Sequence, residues 1–365
     1  MHTESQGVRT RYVYNFEELD RAPEGPCSAT VTPRRLIKLL SLAALLLLPF
    51  SAIGQGAWNP EKNIEFVIGS APGTGTDVVA RMIQRLWQES RALNVSSVVV
   101  NKPGGGGAIS WAYLAQRAGD PHSLLITSYN IVGGHITGRS NLTYSDFTPI
   151  ALLISEYIAY SVRADSPLRS ALDLVGILKK DPEALAVGIS STRGGANHIA
   201  LASFMKAAEV DHRKLRIVVF NSGRESMTAL LGGHVDFMVA SGSAIAPGVA
   251  SGQIRPLAFA APARIGGPFA STPTLSEVGF PVAADNWRIV IAPKGLTSAQ
   301  TNFWDAVFGK LAASEEWNKA LEAQNLSNNY LNSAATMKFL QRQYDEVKLI
   351  LTELGLARPP KATVQ

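Results

Sequence analysis

One unit recurs along this chain: a short strand pattern, a loop of Gly, Ser, Thr and Asn, and then a helix pattern. Its loops fall at residues 69–77, 101–108, 190–198 and 221–226. A strand that feeds a helix through such a loop is the building block of α/β folds, so the repetition predicts an α/β architecture with parallel sheets. In such sheets the strand-to-helix loops gather at the carboxyl ends of the strands, where ligands bind. The first copy is the clearest. A strand over 64–68 leads into Gly69-Ser70-Ala71-Pro72-Gly73-Thr74-Gly75-Thr76-Asp77. The helix that follows, 78–91, carries Val78, Val79, Met82, Ile83, Leu86 and Trp87 on one apolar stripe. Thr76 or Asp77 is placed to cap it. A helix start fronted by glycines exposes free N–H groups and the positive end of the helix dipole, which suits a carboxylate or a phosphate.

The pattern continues in order. A strand over 97–100 ends in Gly104 to Gly107, where four glycines permit positive φ. A helix over 108–117 and a strand over 123–127 lead to Ser128-Tyr129-Asn130. Residues 149–162 form one extended apolar segment, long enough to pass between domains. A second set begins with a helix at 172–180 and strands at 186–189, 215–220, 235–240 and 254–260, with helices from His198 to about Ala208 and over 227–231 between them. Residues 287–292 read as the return crossing, and 297–356 as mostly helical. The expected domains are 58–160 with 286–365, and 161–285, preceded by an extension and signal peptide over 1–57. Two such domains would face each other across a cleft and close on a ligand by hinge motion.

The front of the chain reads as a targeting segment. Arg34, Arg35 and Lys38 precede residues 39–53, which carry no charge, a run short of the roughly 20 residues of a membrane span. Small residues follow (Ala52, Gly54, Gly56, Ala57), the pattern of a secretory signal peptide cleaved between Gly54 and Ala57. Translation is expected to begin near Val31, which would exclude Cys27 and leave a mature chain without cysteine. Periplasmic export follows from this reading.

Other classes are disfavoured. Hydrophobic content of 46% and charge of 17% suit an ordinary globular protein. The net charge of +5 is spread out, with no basic block for nucleic acid. With one cysteine and six scattered histidines, no metal site is indicated. Gly73-Thr74-Gly75 starts a dinucleotide fingerprint, but Val78 stands at its third glycine, and no Walker, zinc-protease or hydrolase-elbow motif is present. No cofactor is expected. His198, at a loop-to-helix junction, reads either as a cleft residue or as a histidine bonded to nearby backbone.

Several ordered motifs carry a family. Ala71-Pro72-Gly73-Thr74-Gly75-Thr76-Asp77-Val78-Val79-Ala80-Arg81, Val98-Val99-Val100-Asn101-Lys102-Pro103-Gly104-Gly105-Gly106-Gly107, Leu230-Leu231-Gly232-Gly233-His234-Val235-Asp236 and Ser271-Thr272-Pro273-Thr274-Leu275-Ser276-Glu277-Val278-Gly279 resemble its signatures. On these, residues 58–356 resemble the periplasmic substrate-binding proteins of tripartite tricarboxylate transporters, the Bug or TctC-like family. Asn286-Trp287-Arg288 and the ending Leu351-Thr352-Glu353-Leu354-Gly355-Leu356 are similar to the TctC-like branch. The resemblance implies a two-domain Venus-flytrap fold of the type II periplasmic-binding-protein class, with a hinge and an interdomain cleft. It implies no catalysis. The partners it implies are a small carboxylate (citrate or another tri-, di- or monocarboxylate) and the large and small subunits of a membrane permease, with the receptor acting as a monomer.

Family members hold carboxylates through backbone N–H groups and hydroxyls of the strand-to-helix loops. Carried onto this chain, that implies Ser70, Pro72, Gly73, Thr76, Asp77, Ser128 and Asn130 in the first domain. In the second it implies Ser191, Thr192, Gly195, Asn197, His198, Ser222, Gly223, Glu225 and Ser241. Two arginines, Arg193 and Arg224, depart from the family pattern and would suit a carboxylate bidentately, or else face solvent. Asp77 fits a helix cap better than an anion contact, and Glu225 suits a pair with Arg224 or a ligand ammonium. Trp87, Trp111, Trp304 and Trp317 read as core, whereas Trp287 and Tyr129 suit either packing or ligand shielding. Two alternatives remain at this level: a receptor feeding a two-component sensor, and a periplasmic enzyme using the same cleft.

Overall fold

The computed structural model describes residues 58–190 and 192–358. The signal-peptide and start-site expectations, Cys27 and Ser191 lie outside the described residues.

The first strands and helices are β1 (Ile64–Ile68), α1 (Gly75–Ser90), β2 (Ser97–Asn101), α2 (Ala108–Ala115), β3 (Ser123–Ser128), α3 (Asn130–Ile136) and β4 (Phe147–Ser155). Next come β5 (Ile158–Arg163), α4 (Ala171–Lys180), β6 (Ala186–Ser190), α5 (Ala196–Ala207), β7 (Arg216–Phe220), α6 (Gly223–Leu231), β8 (Phe237–Ser241), α7 (Gly242–Ala250) and β9 (Ile254–Ala260). The chain continues through β10 (Arg288–Pro293), α8 (Ser298–Ala313), α9 (Glu315–Glu322), β11 (Ser327–Leu331) and α10 (Ser333–Glu353).

These strands build two sheets, ordered β11-β4-β10-β3-β1-β2 and β7-β6-β8-β5-β9. Apart from the edge strand β11, the two share one plan. In the first, β1 runs parallel to β2 and β3, while β10 is antiparallel to β3 and β4. In the second, β6 runs parallel to β7 and β8, while β5 is antiparallel to β8 and β9. The sheets are therefore mixed, not parallel as the sequence pattern suggests. The exception in each is the strand that arrives from the other sheet. It enters at the carboxyl edge, so Ile158 pairs with Ser241 at the end of β8 and Arg288 with Ser128 at the end of β3. That direction of entry forces the reversal. It also puts the crossings on the edge where the strand-to-helix loops collect.

The extended segment expected over 149–162 is two strands, one per sheet, broken at Glu156 and Tyr157. The sheet change thus precedes the expected border at 160, which falls inside β5. The crossings bind each other: Tyr157 bridges Asp285, and Asn286 N donates to the Glu156 carbonyl at 2.9 Å. Other departures have local causes. The tail contains β11, whose sequence Ser-Asn-Asn-Tyr-Leu has no strand-like alternation. Helix α7 holds Pro247 inside it, which hides it from a propensity reading. Helix α6 begins at Gly223, not 227, because the Ser222 side chain accepts from Glu225 N and caps it there.

Each lobe has its own core. In the first, Trp87 stacks on Phe66 and meets Trp304 and Phe308 from α8. In the second, Tyr160 packs edge-on against Phe204 and donates to the Ala200 carbonyl at 2.7 Å. Trp87, Trp111, Trp304 and Trp317 are all buried, as the stripes predict. Trp287 is fully buried as well, packed between Tyr129 and Phe339. Among the described residues no helix is long and apolar enough to cross a membrane, and no cluster of His, Cys, Asp and Glu is placed to hold a metal.

Candidate functional site

The loop after β1 is shaped by its own hydroxyls and by Asp77. Thr74 Oγ1 donates to the Ala71 carbonyl at 2.9 Å, so Ser70 Oγ donates to Thr74 Oγ1 at 2.6 Å. Thr74, in extended conformation, is the N-cap of α1, in place of the Thr76 or Asp77 expected. Asp77, in the first turn, is buried. Its carboxylate accepts from Gly73 N at 2.9 Å, Arg81 Nε at 3.0 Å and Asn101 Nδ2 at 2.9 Å. Burial raises its pKa, but the bonds from Arg81, Gly73 and Asn101 together pull it below the usual aspartate value. Asn101 Nδ2 also donates to the Ser70 carbonyl at 3.0 Å, so the end of β2 ties down the end of β1. Asp77 is thus the organiser of the loop. Pro72, Gly73 and Thr76 are left at its exposed or half-exposed rim.

The glycine run after β2 takes positive φ at all four positions, 104 to 107. A Cβ on Gly107 would stand 2.7 Å from the Trp111 ring, so the backbone there lies directly on that indole.

At the carboxyl edge of the second sheet, the loop after β6 is closed by side chains of α5. Asn197 Nδ2 donates to Ser190 Oγ at 2.6 Å, and Gly194 N donates to His198 Nδ1 at 2.9 Å. His198 is buried, and burial first, then the positive Arg193 and His212, push its pKa down to about 4. A neutral ring whose Nδ1 accepts a backbone N–H is a structural acceptor, the second of the two readings its position allowed. Thr192 Oγ1 is buried without a partner.

This loop meets the other lobe. A Cβ on Gly133 of α3 would lie 2.7 Å from the Gly194 carbonyl oxygen, and one on Gly195 would lie 3.7 Å from Asn130 Oδ1. Tyr129, whose hydroxyl is buried and unpartnered, flanks the same contact. The structure therefore brings Asn130 together with Thr192 and Gly195. Ser128, two residues before Asn130, pairs with Arg288. Ser241 ends β8 and is the N-cap of α7, beside the crossing at Tyr157.

The remaining residues sit elsewhere. Arg193 is exposed, and its Nη2 donates to the Ile217 carbonyl of β7 at 3.3 Å. Arg224 is exposed on α6. Glu225 accepts from Asn221 N at 3.0 Å and Asn221 Nδ2 at 3.2 Å, which closes its own turn, and no ion pair joins it to Arg224 among the described residues. Gly223 is needed for packing, since a Cβ there would stand 2.6 Å from Ala244 Cβ.

Sequence reasoning missed Arg288 and Glu156. Both are buried on the two crossings, and they form an ion pair at 2.9 Å. Glu156 also accepts from Ser243 Oγ at the start of α7. Arg288 Nη2 lies against α1, where a Cβ on Gly75 would be 2.9 Å away. The available signal was a charged residue opening an otherwise apolar strand, with a second charge between two apolar segments.

Known proteins share this architecture. A family model described as Tripartite tricarboxylate transporter family receptor matches residues 79–356. A UPF0065 protein in the gbd 5′ region of Cupriavidus necator is 27% identical over 317 residues, covering 87% of this chain and 94% of that protein. A TctC solute binding protein from Polaromonas, solved with no ligand, has a TM-score of 0.68 at 26% identity and covers 80% of this chain and 99% of its own. The R. palustris protein Rpa4515, solved with adipate, has a TM-score of 0.71 at 23% identity over 82% of this chain and 99% of that one, a likeness that shows the fold alone. These matches and the paired mixed sheets identify a two-domain α/β periplasmic-binding-protein fold, and the chain belongs to the tripartite tricarboxylate transporter family receptors.

Proposed function

We propose that this protein is a periplasmic receptor that captures a small carboxylate between its lobes and hands it to the permease of a tripartite tricarboxylate transporter. The observation that carries the reading is the meeting of loops from both lobes at one edge, Asn130 with Thr192 and Gly195. Helix starts and hydroxyls there offer donors, the chemistry an anionic ligand needs. The binding set is Ser70, Pro72, Gly73, Thr76, Ser128, Asn130, Ser191, Thr192, Gly195, Ser222, Gly223 and Ser241, with Asp77, Asn197 and His198 shaping the loops. The adipate in the R. palustris relative agrees with this ligand class. The lobes are residues 58–160 with 286–365, and 161–285, the sheet change itself lying at 156–157. The receptor works without catalysis or cofactor and as a monomer.

The test is a thermal-shift screen of the purified mature chain against mono-, di- and tricarboxylates, amino acids and aromatic acids. A ligand that binds the folded state at 100 times its Kd adds about 2.7 kcal/mol of stability. A rise in Tm with at least one carboxylate, and none with sugars, is expected. No shift with any acid refutes the proposal.

A further inference from the structure

Arg288 carries a donor that the protein itself leaves unused. Only 6% of its side chain is exposed. Nη2 donates to Glu156 Oε2 and Nη1 to the Asn286 carbonyl, both at 2.9 Å. Nε is buried and has no partner. A buried guanidinium N–H without an acceptor is unfavourable, and the positive start of α1 beside it adds to that. Glu156 is the sole carboxylate bonded to it among the described residues, and that carboxylate is shared with Ser243 of α7. Arg288 Nη2 lies against the start of α1 at Gly75, the Arg288 backbone pairs with Ser128 at the end of β3, and its partner Glu156 reaches Ser243 at the start of α7. The start of α1 thus touches this under-satisfied cation directly, and the end of β3 and the start of α7 are tied to it through the Arg288 backbone and Glu156. The exposed Arg193 and Arg224 have no such position.

We propose that Arg288 is a ligand-contacting residue: its Nε–H, with N–H groups at the start of α1, takes one carboxylate of the bound ligand, and Glu156 tunes the strength by competing for the same guanidinium. The inference rests on the receptor reading above and adds a selectivity to it. A carboxylate presents only acceptors to these donors, whereas a primary amide of the same shape presents an NH₂ group to at least one of them. The site therefore selects a charged carboxylate over its amide.

The test uses the mature chain and isothermal titration. The wild-type protein is screened with succinate, adipate, citrate and benzoate, and the tightest binder is paired with its singly amidated analogue. In wild type the acid is expected to bind at least about 30-fold tighter than the amide, a charge-assisted bond's share. In R288Q/E156Q, which removes both buried charges together and so leaves neither unpaired, that ratio falls below about 3-fold. E156Q alone, with Arg288 freed, binds the acid several-fold tighter. R288K, which keeps the charge but loses the fork, loses about 10-fold in acid affinity and serves if the double variant does not fold. An unchanged acid-to-amide ratio in R288Q/E156Q, unchanged acid affinity in R288K, or weaker acid binding in E156Q overturns the role of Arg288 while the receptor reading stands. A wild-type chain that binds none of these four nor any other acid of the thermal-shift screen overturns both.

Discussion

Replacing Asp77 with alanine separates loop-shaping from ligand contact. The carboxylate, with 3% of its side chain exposed, accepts three bonds. Arg81 is half exposed, so solvent screens its ion pair and it adds little. The bonds from Gly73 N and Asn101 Nδ2 are partly buried and charge-assisted, at about 1.5 kcal/mol each. Water reaches Gly73 and Arg81 once the carboxylate is gone and recovers part of this, which leaves a loss of about 2–3 kcal/mol. At about 2–4 °C per kcal/mol for a protein of this size, Tm falls by about 5–10 °C in differential scanning calorimetry. Asp77→Asn keeps an acceptor for Gly73 N and falls between the two. Because the folded pKa is depressed, the contribution of Asp77 is complete above the unfolded aspartate pKa, about 4, and is lost as pH falls through the folded value. The wild-type and D77A stability curves should therefore converge in acid. Ligand affinity in D77A drops similarly for every acid tested, because the loop loosens as a whole. A D77A Tm within about 1 °C of wild type would refute the argument, since no three-bond anchor is worth that little. Selective tightening of multiply charged ligands in D77N would show instead that the carboxylate faces the ligand.

Other expectations test the remaining parts. Gly133→Ala places a Cβ 2.7 Å from the Gly194 carbonyl across the lobes; each lobe stays folded, but ligand affinity falls by about 10-fold or more as the loops are held apart, and an unchanged Kd by titration contradicts this. His198 has a folded pKa near 4 against about 6.5 unfolded, so the unfolded state takes up the proton first as pH falls. Stability should decline between about pH 6.5 and 4 by up to about 3 kcal/mol, and His198→Asn, which keeps an acceptor for Gly194 N, should flatten that slope in urea titrations. Lys206 and Glu353 join α5 to α10 at 2.7 Å but are partly exposed, so Lys206→Ala should cost less than about 1 kcal/mol and matter least at high salt. Gly107→Ala, at φ +111° and with the Trp111 ring 2.7 Å from its Cβ, should cost more than about 2 kcal/mol in thermal unfolding.

Most of the first lobe was legible because its signals are local. A strand that ends in Gly69 to Gly75 and starts an apolar stripe can hardly be anything but a strand, loop and helix, and the glycines at 104 to 107 announce positive φ. The buried tryptophans follow from the same stripes. Strand direction was not legible. β5 and β10 look like the other strands in composition, and their reversal follows from which edge the chain crosses at, a long-range fact. The fate of individual side chains was likewise decided by tertiary neighbours. Arg193 and Arg224 are as basic as Arg288, but the first two end on exposed positions while the third is buried against Glu156, which lies 132 residues away in sequence. Sequence by itself therefore determined the repeating units, the family and the places of the strand-to-helix loops. The tertiary structure decided which charges face each other, because periodicity records which face of an element is apolar and not which distant residue will meet it.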